Sequence, residues 1–398
     1  MKIKGFFKDI KGAARVEERR RECFRNADPT LVRVDPIYET AKALHPGMIP
    51  MKVTSVEDVS PTARKYRLEP VDGKLPVFQA GQYLALKFKE EGKNGEKVCL
   101  QRPYSISSAP FEARGEKPFV EITIRNKGEN YAPDLLFHHL KEGTEVMGSM
   151  PEGQFYYEPL RDSEYVVALA GGSGITPFYS MAREIENGKL DCDLTILYGS
   201  AKSDDIIFKK QLDAIKSDRV HVVHVLSDDP DWDGEKGFLN AELIKKYSHD
   251  DTTYFICGPQ VMYNFLKGEL EKLEVPRRRI RREVFGTPKD VTTCPGYPKD
   301  MAGKPVMMKV YRGVHCDEIP ARTDETVVVA LERAGFPMET RCRSGECGYC
   351  RSQLLKGDIF VSPDGDGRRA MDKEMGWFHP CSSYPLSDLT IKVPIVHE

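Results

Sequence analysis

The chain is predicted to be multidomain: an antiparallel β-barrel, an α/β domain on a parallel sheet, and a smaller α+β domain at the C-terminus. Three observations predict this. At 398 residues the chain exceeds one ordinary domain. Near residue 159 the apolar pattern changes from short punctuated strands to strands alternating with helices. A Pro- and Gly-rich stretch then sets residues 306–398 apart.

Residues 1–49 form a basic N-terminal extension, whose first 21 residues hold eight Lys/Arg against three Asp/Glu. Such an arm is expected to be a solvated strap or a docking segment for a partner protein or an anionic membrane surface. Residues 50–158 read as short strands (KVTSVEDVS, ARKYRLEP, QYLALKF, VEITIRN) separated by Gly and Pro, the pattern of a small barrel. In residues 159–286 the strands Tyr165–Ala170, Leu194–Tyr198, Val220–Leu226 and Tyr254–Cys257 alternate with helical stretches near Pro177–Asn187, Phe208–Lys216, Ala241–Tyr247 and Val261–Leu273. That alternation implies a parallel sheet covered on both faces. Gly286–Pro305 carries four prolines and three glycines and reads as a linker, assigned to 287–305, with a reach of about 70 Å if extended. Residues 306–398 follow, with strands near Val306–Tyr311 and Leu389–Val393.

Composition narrows the function. Hydrophobic residues at 40% and charged residues at 30% are globular values. A net charge of −2 gives no general basic field for nucleic acid, and no apolar run approaches a bilayer span. The N-terminus lacks the apolar segment of a signal peptide, and four of the ten cysteines stand in a metal-ligand pattern, so a reducing cytoplasm is expected.

That pattern is the strongest local signal. Cys342-x4-Cys347-x2-Cys350, then Cys381 after thirty intervening residues, is plant-type [2Fe–2S] spacing. Gly345 and Gly348 between the ligands let backbone approach the cluster. A zinc site is the alternative, but zinc sites usually pair two C-x2-C hairpins and only one is present. Arg341, Arg343 and Arg351 flank the ligands and are expected either to orient an acidic partner or to be solvated.

Three further motifs are weak singly. Arg102-Pro103-Tyr104-Ser105 offers a guanidinium for phosphate, a ring for stacking and a hydroxyl for a ring nitrogen. Gly171-Gly172-Ser173-Gly174-Ile175-Thr176 falls between a strand and a helix, where glycines let a pyrophosphate reach the helix N-terminus. Cys257-Gly258-Pro259 ends a strand at the edge where α/β ligands bind, although a lone Cys there is more often a small buried hydrophobe.

In order, RPYS, GGSGITP, YGS (Tyr198–Ser200), CGP and Glu283-Val284-Phe285 make residues 50–286 resemble the ferredoxin–NADP⁺ reductase superfamily. Residues 306–398 resemble a plant-type ferredoxin domain of β-grasp type, and the module order resembles the phthalate dioxygenase reductase type. The resemblance implies that Arg102, Pro103, Tyr104 and Ser105 hold a flavin, edged by the backbone of Ile122, Thr123 and Ile124. It implies that Gly171–Thr176 and Cys257–Pro259 hold the nicotinamide nucleotide, and that Glu283 and Phe285 bring an acid and a ring to the flavin. Ser105, Cys257 and Glu283 are the implied catalytic residues.

The implied cofactors are FAD, with FMN open because Pro133 stands where many relatives place Ser or Thr; NADH or NADPH; and a [2Fe–2S] cluster. Lys202 and Ser203 suit a 2′-phosphate while Asp204 and Asp205 oppose one, which tilts the donor toward NADH. The implied activity is an NAD(P)H-dependent oxidoreductase passing electrons to a separate terminal acceptor protein. Reverse flow to NAD⁺ and a redox-sensing subunit are the alternatives.

Overall fold

The computed structural model describes residues 6–26, 47–91, 97–126, 128, 136–288, 290–336 and 338–394. The chain divides at Gly47 into two units. In the first, Phe6–Arg25 forms a helix with an exposed Glu17–Arg21 pair at 2.7 Å. Among the described residues no helix is long and apolar enough to cross a membrane. Pro133 lies outside the described residues.

The second unit opens with six antiparallel strands: β1 (Met48–Ser60), β2 (Ala63–Pro70), β3 (Tyr83–Glu91), β4 (Lys97–Ser105), β5 (Val120–Arg125) and β6 (Glu145–Ser149), in the order β4-β3-β6-β1-β2-β5. Alternation selects the inward face, and Met51, Val53, Tyr66, Leu68, Leu84, Leu86, Ile122 and Ile124 share one core. A bridge between Ile106 and Ile122 joins the chain just past β4 to β5, bringing the two edges of the sheet together as barrel closure requires. Pro103 sits in β4, an edge strand, where its missing N–H leaves no gap in an inner ladder. β4 and β6 are absent from the sequence reading. β4 is interrupted by that proline, and β6 is short and carries Gly148, where a Cβ would meet the Met51 side chain at 2.9 Å.

The next sheet is wholly parallel: β7 (Tyr165–Gly171), β8 (Asp193–Ser200), β9 (Val220–Leu226), β10 (Glu235–Lys236), β11 (Thr252–Cys257) and β12 (Ile280–Glu283), in the order β10-β9-β8-β7-β11-β12. Alternate residues of β7 enter opposite cores: Val166, Ala168 and Ala170 on one face, Val167 and Leu169 on the other. Burial on both faces explains why these strands read as continuous apolar runs. The helices Thr176–Glu186, Lys209–Asp213, Ala241–Lys246 and Gln260–Lys272 lie between strands, the second shorter than its apolar pattern suggests.

The last module is a mixed five-stranded sheet with β13 (Pro305–Arg312), β14 (His315–Arg322), β15 (Ser352–Lys356), β17 (Trp377–Phe378) and β19 (Leu389–Lys392), beside a ribbon of β16 (Ile359–Val361) and β18 (Ser383–Pro385). Helix Val327–Arg333 buries Val327, Val328, Ala330 and Leu331 in its core. The Pro- and Gly-rich stretch before it is packed down rather than extended. Its Val291, Cys294 and Tyr297 form a small core with Tyr384, and the Tyr297 hydroxyl donates to the Thr323 carbonyl at 3.0 Å.

The first two sheets are locked together around Asp205. Ser60 and Thr62 hydroxyls donate to Oδ1, each at 2.7 Å, and Arg125 pairs with Oδ2. Asp205 therefore faces the inter-sheet seam, which corrects its expected role of repelling a nucleotide phosphate. Burial alone would raise its carboxyl, but the two hydroxyls and Arg125 outweigh burial and hold it below the usual range. A group depressed in the folded state contributes stability above its unfolded pKa and loses it as pH falls through the folded one. Asp205→Asn is expected to lower stability by about 1–2 kcal/mol at pH 7, with the gap to wild type closing below about pH 4. Thermal melts of both proteins across pH check this.

Candidate functional site

Strand order reverses between β7 and β11, and in open α/β sheets ligands bind at the C-terminal strand ends at such a reversal. Both nucleotide motifs end there, because Ala170 and Cys257 are register partners. Gly172–Ile175 forms one 3-10 turn leading into helix Thr176–Glu186. The turn depends on glycine. Gly172 has φ +54°, and a Cβ on Gly174 would sit 2.0 Å from the Cys257 carbonyl oxygen. It is pinned by the Tyr198 hydroxyl, which donates to the Gly172 carbonyl at 2.9 Å, and by Thr176 Oγ1 donating to the Ser173 carbonyl at 3.0 Å. Ser173 and Pro259 are exposed at the mouth, while Gly171, Gly174, Ile175, Thr176 and Cys257 are buried and Gly258 is half-buried. Arg125 reaches this turn from the flavin sheet: its Nη1 lies 2.5 Å from where a Gly172 Cβ would be.

On the barrel side, Ser105 pairs in register with Tyr83 and is buried, whereas Arg102, Pro103 and Tyr104 are half-buried. Ile122 and Ile124 point into the barrel core, whereas Thr123 is buried on the opposite face of the strand, where its Oγ1 and Ser107 Oγ are hydrogen-bonded at 3.3 Å. Glu283 ends β12 opposite Cys257. It is buried, and its Oε2 has no hydrogen-bond partner. Burial, then the neighbouring Glu346 and Cys342, raise its carboxyl well above the usual range. Burial likewise pushes the Cys257 thiol up. Perturbed groups gathered in a crevice mark functional sites. Phe285 meets Tyr83 edge-on at 5.1 Å. An orphaned carboxyl oxygen, a buried serine and a ring gathered around Tyr83 fit a flavin with its nicotinamide donor.

The four cysteines come together. The Cys342 thiol neighbours those of Cys347 and Cys381, and the Cys381 thiol that of Cys350. Among the described residues no group of three or more His, Cys, Asp or Glu surrounds one metal position. The thiols run as a chain of pairs, which fits two irons each taking two protein sulfurs. The amides of Ser344 and Cys347 each donate to Cys342 Sγ at 3.4 Å, and hydrogen bonds to sulfur tune the potential of an iron–sulfur centre. Gly345 has φ +85°, and a Cβ there would meet Ser382 Oγ at 2.4 Å. Cys347 is exposed and the other three cysteines are buried.

The cluster loop lies against the flavin module. The Gly286 amide donates to the Cys342 carbonyl at 3.4 Å, and Thr340 Oγ1 to the Gln101 carbonyl at 3.5 Å. Arg341, 4% exposed, donates to Glu152 at 2.8 Å and covers the Tyr349 ring. Arg343 and Arg102 both clasp Glu332. Burial alone would raise the Glu332 carboxyl, yet Arg343 and Arg102 bring it below its usual range. Of the three flanking arginines only Arg351 faces solvent, stacked on Trp377 and paired with Asp372. Tyr83, Arg125, Glu152 and Glu332 went unnoticed in the sequence, since none belongs to a local motif.

Comparison with known proteins agrees with this geometry. Residues 168–268 match the oxidoreductase NAD-binding domain and residues 316–386 the 2Fe-2S iron-sulfur cluster binding domain. The chain is 26% identical to the glycine betaine monooxygenase reductase subunit of Chromohalobacter salexigens, over 80% of this chain and 88% of that one. It is also 26% identical to the 3-ketosteroid-9-alpha-monooxygenase ferredoxin reductase component of Mycobacterium tuberculosis, over 86% and 94%. The solved structure of phthalate dioxygenase reductase covers 88% of this chain, and is itself 98% covered, with a TM-score of 0.61 at 22% identity.

The class is therefore an NAD(P)H oxidoreductase with a flavin module, an NAD-binding module and a [2Fe–2S] module. Its modules stand in the order of phthalate dioxygenase reductase, and its relatives are reductase components of oxygenase systems.

Gly174→Ala is expected to push the glycine turn off the Cys257 carbonyl, lowering stability by about 1–3 kcal/mol. Nucleotide affinity should fall about tenfold or more as the turn shifts. Calorimetric titration with NAD⁺ checks the second effect separately from the first.

Proposed function

We propose that this chain is the reductase component of a two-protein redox system, drawing hydride from NAD(P)H and supplying single electrons to a separate terminal oxygenase or demethylase. When bound, the flavin provides the two-electron acceptor and the [2Fe–2S] centre the one-electron relay. The chain's own residues supply position. Gly171–Thr176 and the helix they open receive the nucleotide phosphates. Cys257 and Glu283, register partners at the strand ends, bracket the place of the nicotinamide ring. Ser105, with Arg102 and Tyr104 next along β4, and the β5 backbone at Ile122–Ile124 would hold the flavin. Phe285, held edge-on by Tyr83, would supply an aromatic ring beside the flavin. Cys342, Cys347, Cys350 and Cys381 hold the cluster. We assign residues 50–158, 159–286 and 306–398 to the three modules.

The observation that carries this reading is the adjacency of Phe285, on the flavin side, to Gly286, whose amide donates to the cluster ligand Cys342. The segment assigned to the hydride site is thus tied by one hydrogen bond to the loop that carries Cys342. The acidic residues Asp204, Asp228 and Asp229 near the end of β8, with Asp229 accepting from both the Ser203 amide and hydroxyl, favour NADH over NADPH.

Adding NADH to the purified protein under argon is expected to bleach the flavin band and then the cluster band. An unresponsive spectrum overturns the reading. Cys381→Ser is expected to keep the first change and lose the second. Phe285→Ala should alter the rate of the first or the preference between NADH and NADPH, and unchanged stopped-flow traces would remove Phe285 from the site.

A further inference from the structure

Glu332 lies on helix Val327–Arg333 of the cluster module, away from every ligand motif. Both carboxylate oxygens are taken. Arg102 of the flavin strand β4 donates from Nη1 to Oε1 at 3.0 Å and from Nη2 to Oε2 at 3.2 Å. Arg343 of the cluster loop donates to the same pair of oxygens at 2.6 and 3.3 Å. Two planar forks thus close on one carboxylate, the geometry that fixes orientation as well as contact. The three side chains are 19%, 11% and 10% exposed for Arg102, Glu332 and Arg343, so water screens the group poorly.

Arg343 follows the ligand Cys342 directly and has φ +57°, a conformation that non-glycine residues rarely adopt. Its guanidinium fork on Glu332 anchors the loop at this uncommon backbone position. The clamp also carries two positive charges against one negative charge, so Arg102 keeps a surplus of positive charge for an anion at the flavin strand. One carboxylate thereby links the strand assigned to the flavin phosphate with the loop that carries Cys342.

We propose that Glu332 is a positioning residue that sets the separation of flavin and cluster through Arg102 and Arg343, governing transfer between them and not the hydride step. The inference rests on the reductase reading above. The remaining contacts, Arg341 with Glu152 and Thr340 with Gln101, keep the modules associated when the clamp is opened. What changes is the register of the loop, and with it the rate at which an electron crosses.

The test uses the full-length protein as purified, with Glu332→Gln and Arg343→Gly. Glycine suits the left-handed backbone at 343, so the second variant removes the charge while favouring the loop conformation. Stopped-flow mixing with NADH should show flavin bleaching within about twofold of wild type in both, because their side chains touch no reacting group. Cluster reduction should slow by about tenfold or more, the usual consequence of small misplacement. Without any nucleotide, amide exchange at Gly286 and at 340–344 should rise by about tenfold, while the cluster's visible spectrum stays unchanged.

Cluster reduction at the wild-type rate in either variant that retains its cluster overturns the proposal. So does an equal slowing of both phases, which marks a general structural role. If Glu332→Gln fails to fold, Arg343→Gly decides alone. Failure of wild type to respond to NADH defeats the reductase reading instead, and the exchange measurement still decides whether the clamp holds the loop.

Discussion

Four consecutive residues, Glu283 to Gly286, touch all three modules, and the arrangement of the site depends on that junction. Glu283 pairs in the parallel sheet with Cys257, Phe285 meets Tyr83 of the barrel, and the Gly286 amide reaches the Cys342 carbonyl. A chain that converts a two-electron donor into one-electron deliveries must keep three groups close in fixed order. Here the last strand of the nucleotide sheet leads directly over the flavin side and onto the cluster loop. In the stretch that follows, Val291, Cys294 and Tyr297 pack against Tyr384 of the cluster module.

Buried charge fixes how the modules fit. Taking ions from water carries a desolvation penalty that a salt bridge often only balances, so such pairs are weak sources of affinity. They are stronger sources of register. Glu152 with Arg341, and Glu332 between Arg102 and Arg343, are matched in only one docking of the cluster loop. A slipped loop would leave one of these charges buried without its partner, at about 3–5 kcal/mol. The same logic holds on the other side of the barrel, where Asp205 collects Ser60, Thr62 and Arg125 while Ser180 donates to the Ser108 carbonyl at 2.7 Å. The flavin sheet is thus gripped from two directions by polar contacts that allow one arrangement each.

Much of this was legible in the sequence, and the reason is local. A parallel strand buried on both faces must be an apolar run, so Tyr165–Gly171 and Val220–Leu226 announce themselves. The cluster cysteines are close in sequence because one loop carries three of them. Gly174 in the turn is required by the nearness of the Cys257 carbonyl, so it marks that approach even before its partner is known. By contrast β4 was hidden, because its proline is tolerable only on an edge, and edges are set by the order of strands.

The arginines around Cys342 mark where such reading ends. Arg341, Arg343 and Arg351 are one residue type within eleven positions, and sequence alone leaves all three equally open to solvent. Two turn inward and one outward because of what stands opposite. Glu152 lies 189 residues from Arg341, and Arg102 lies 230 residues from Glu332. Asp372, the partner of Arg351, lies at the surface of the same module. A short motif specifies its own chemistry, whereas the direction of a charged side chain is decided by another module's surface. For that reason candidate cofactor residues could be named from the chain, while the charged pairs between modules emerged only when the modules were seen together.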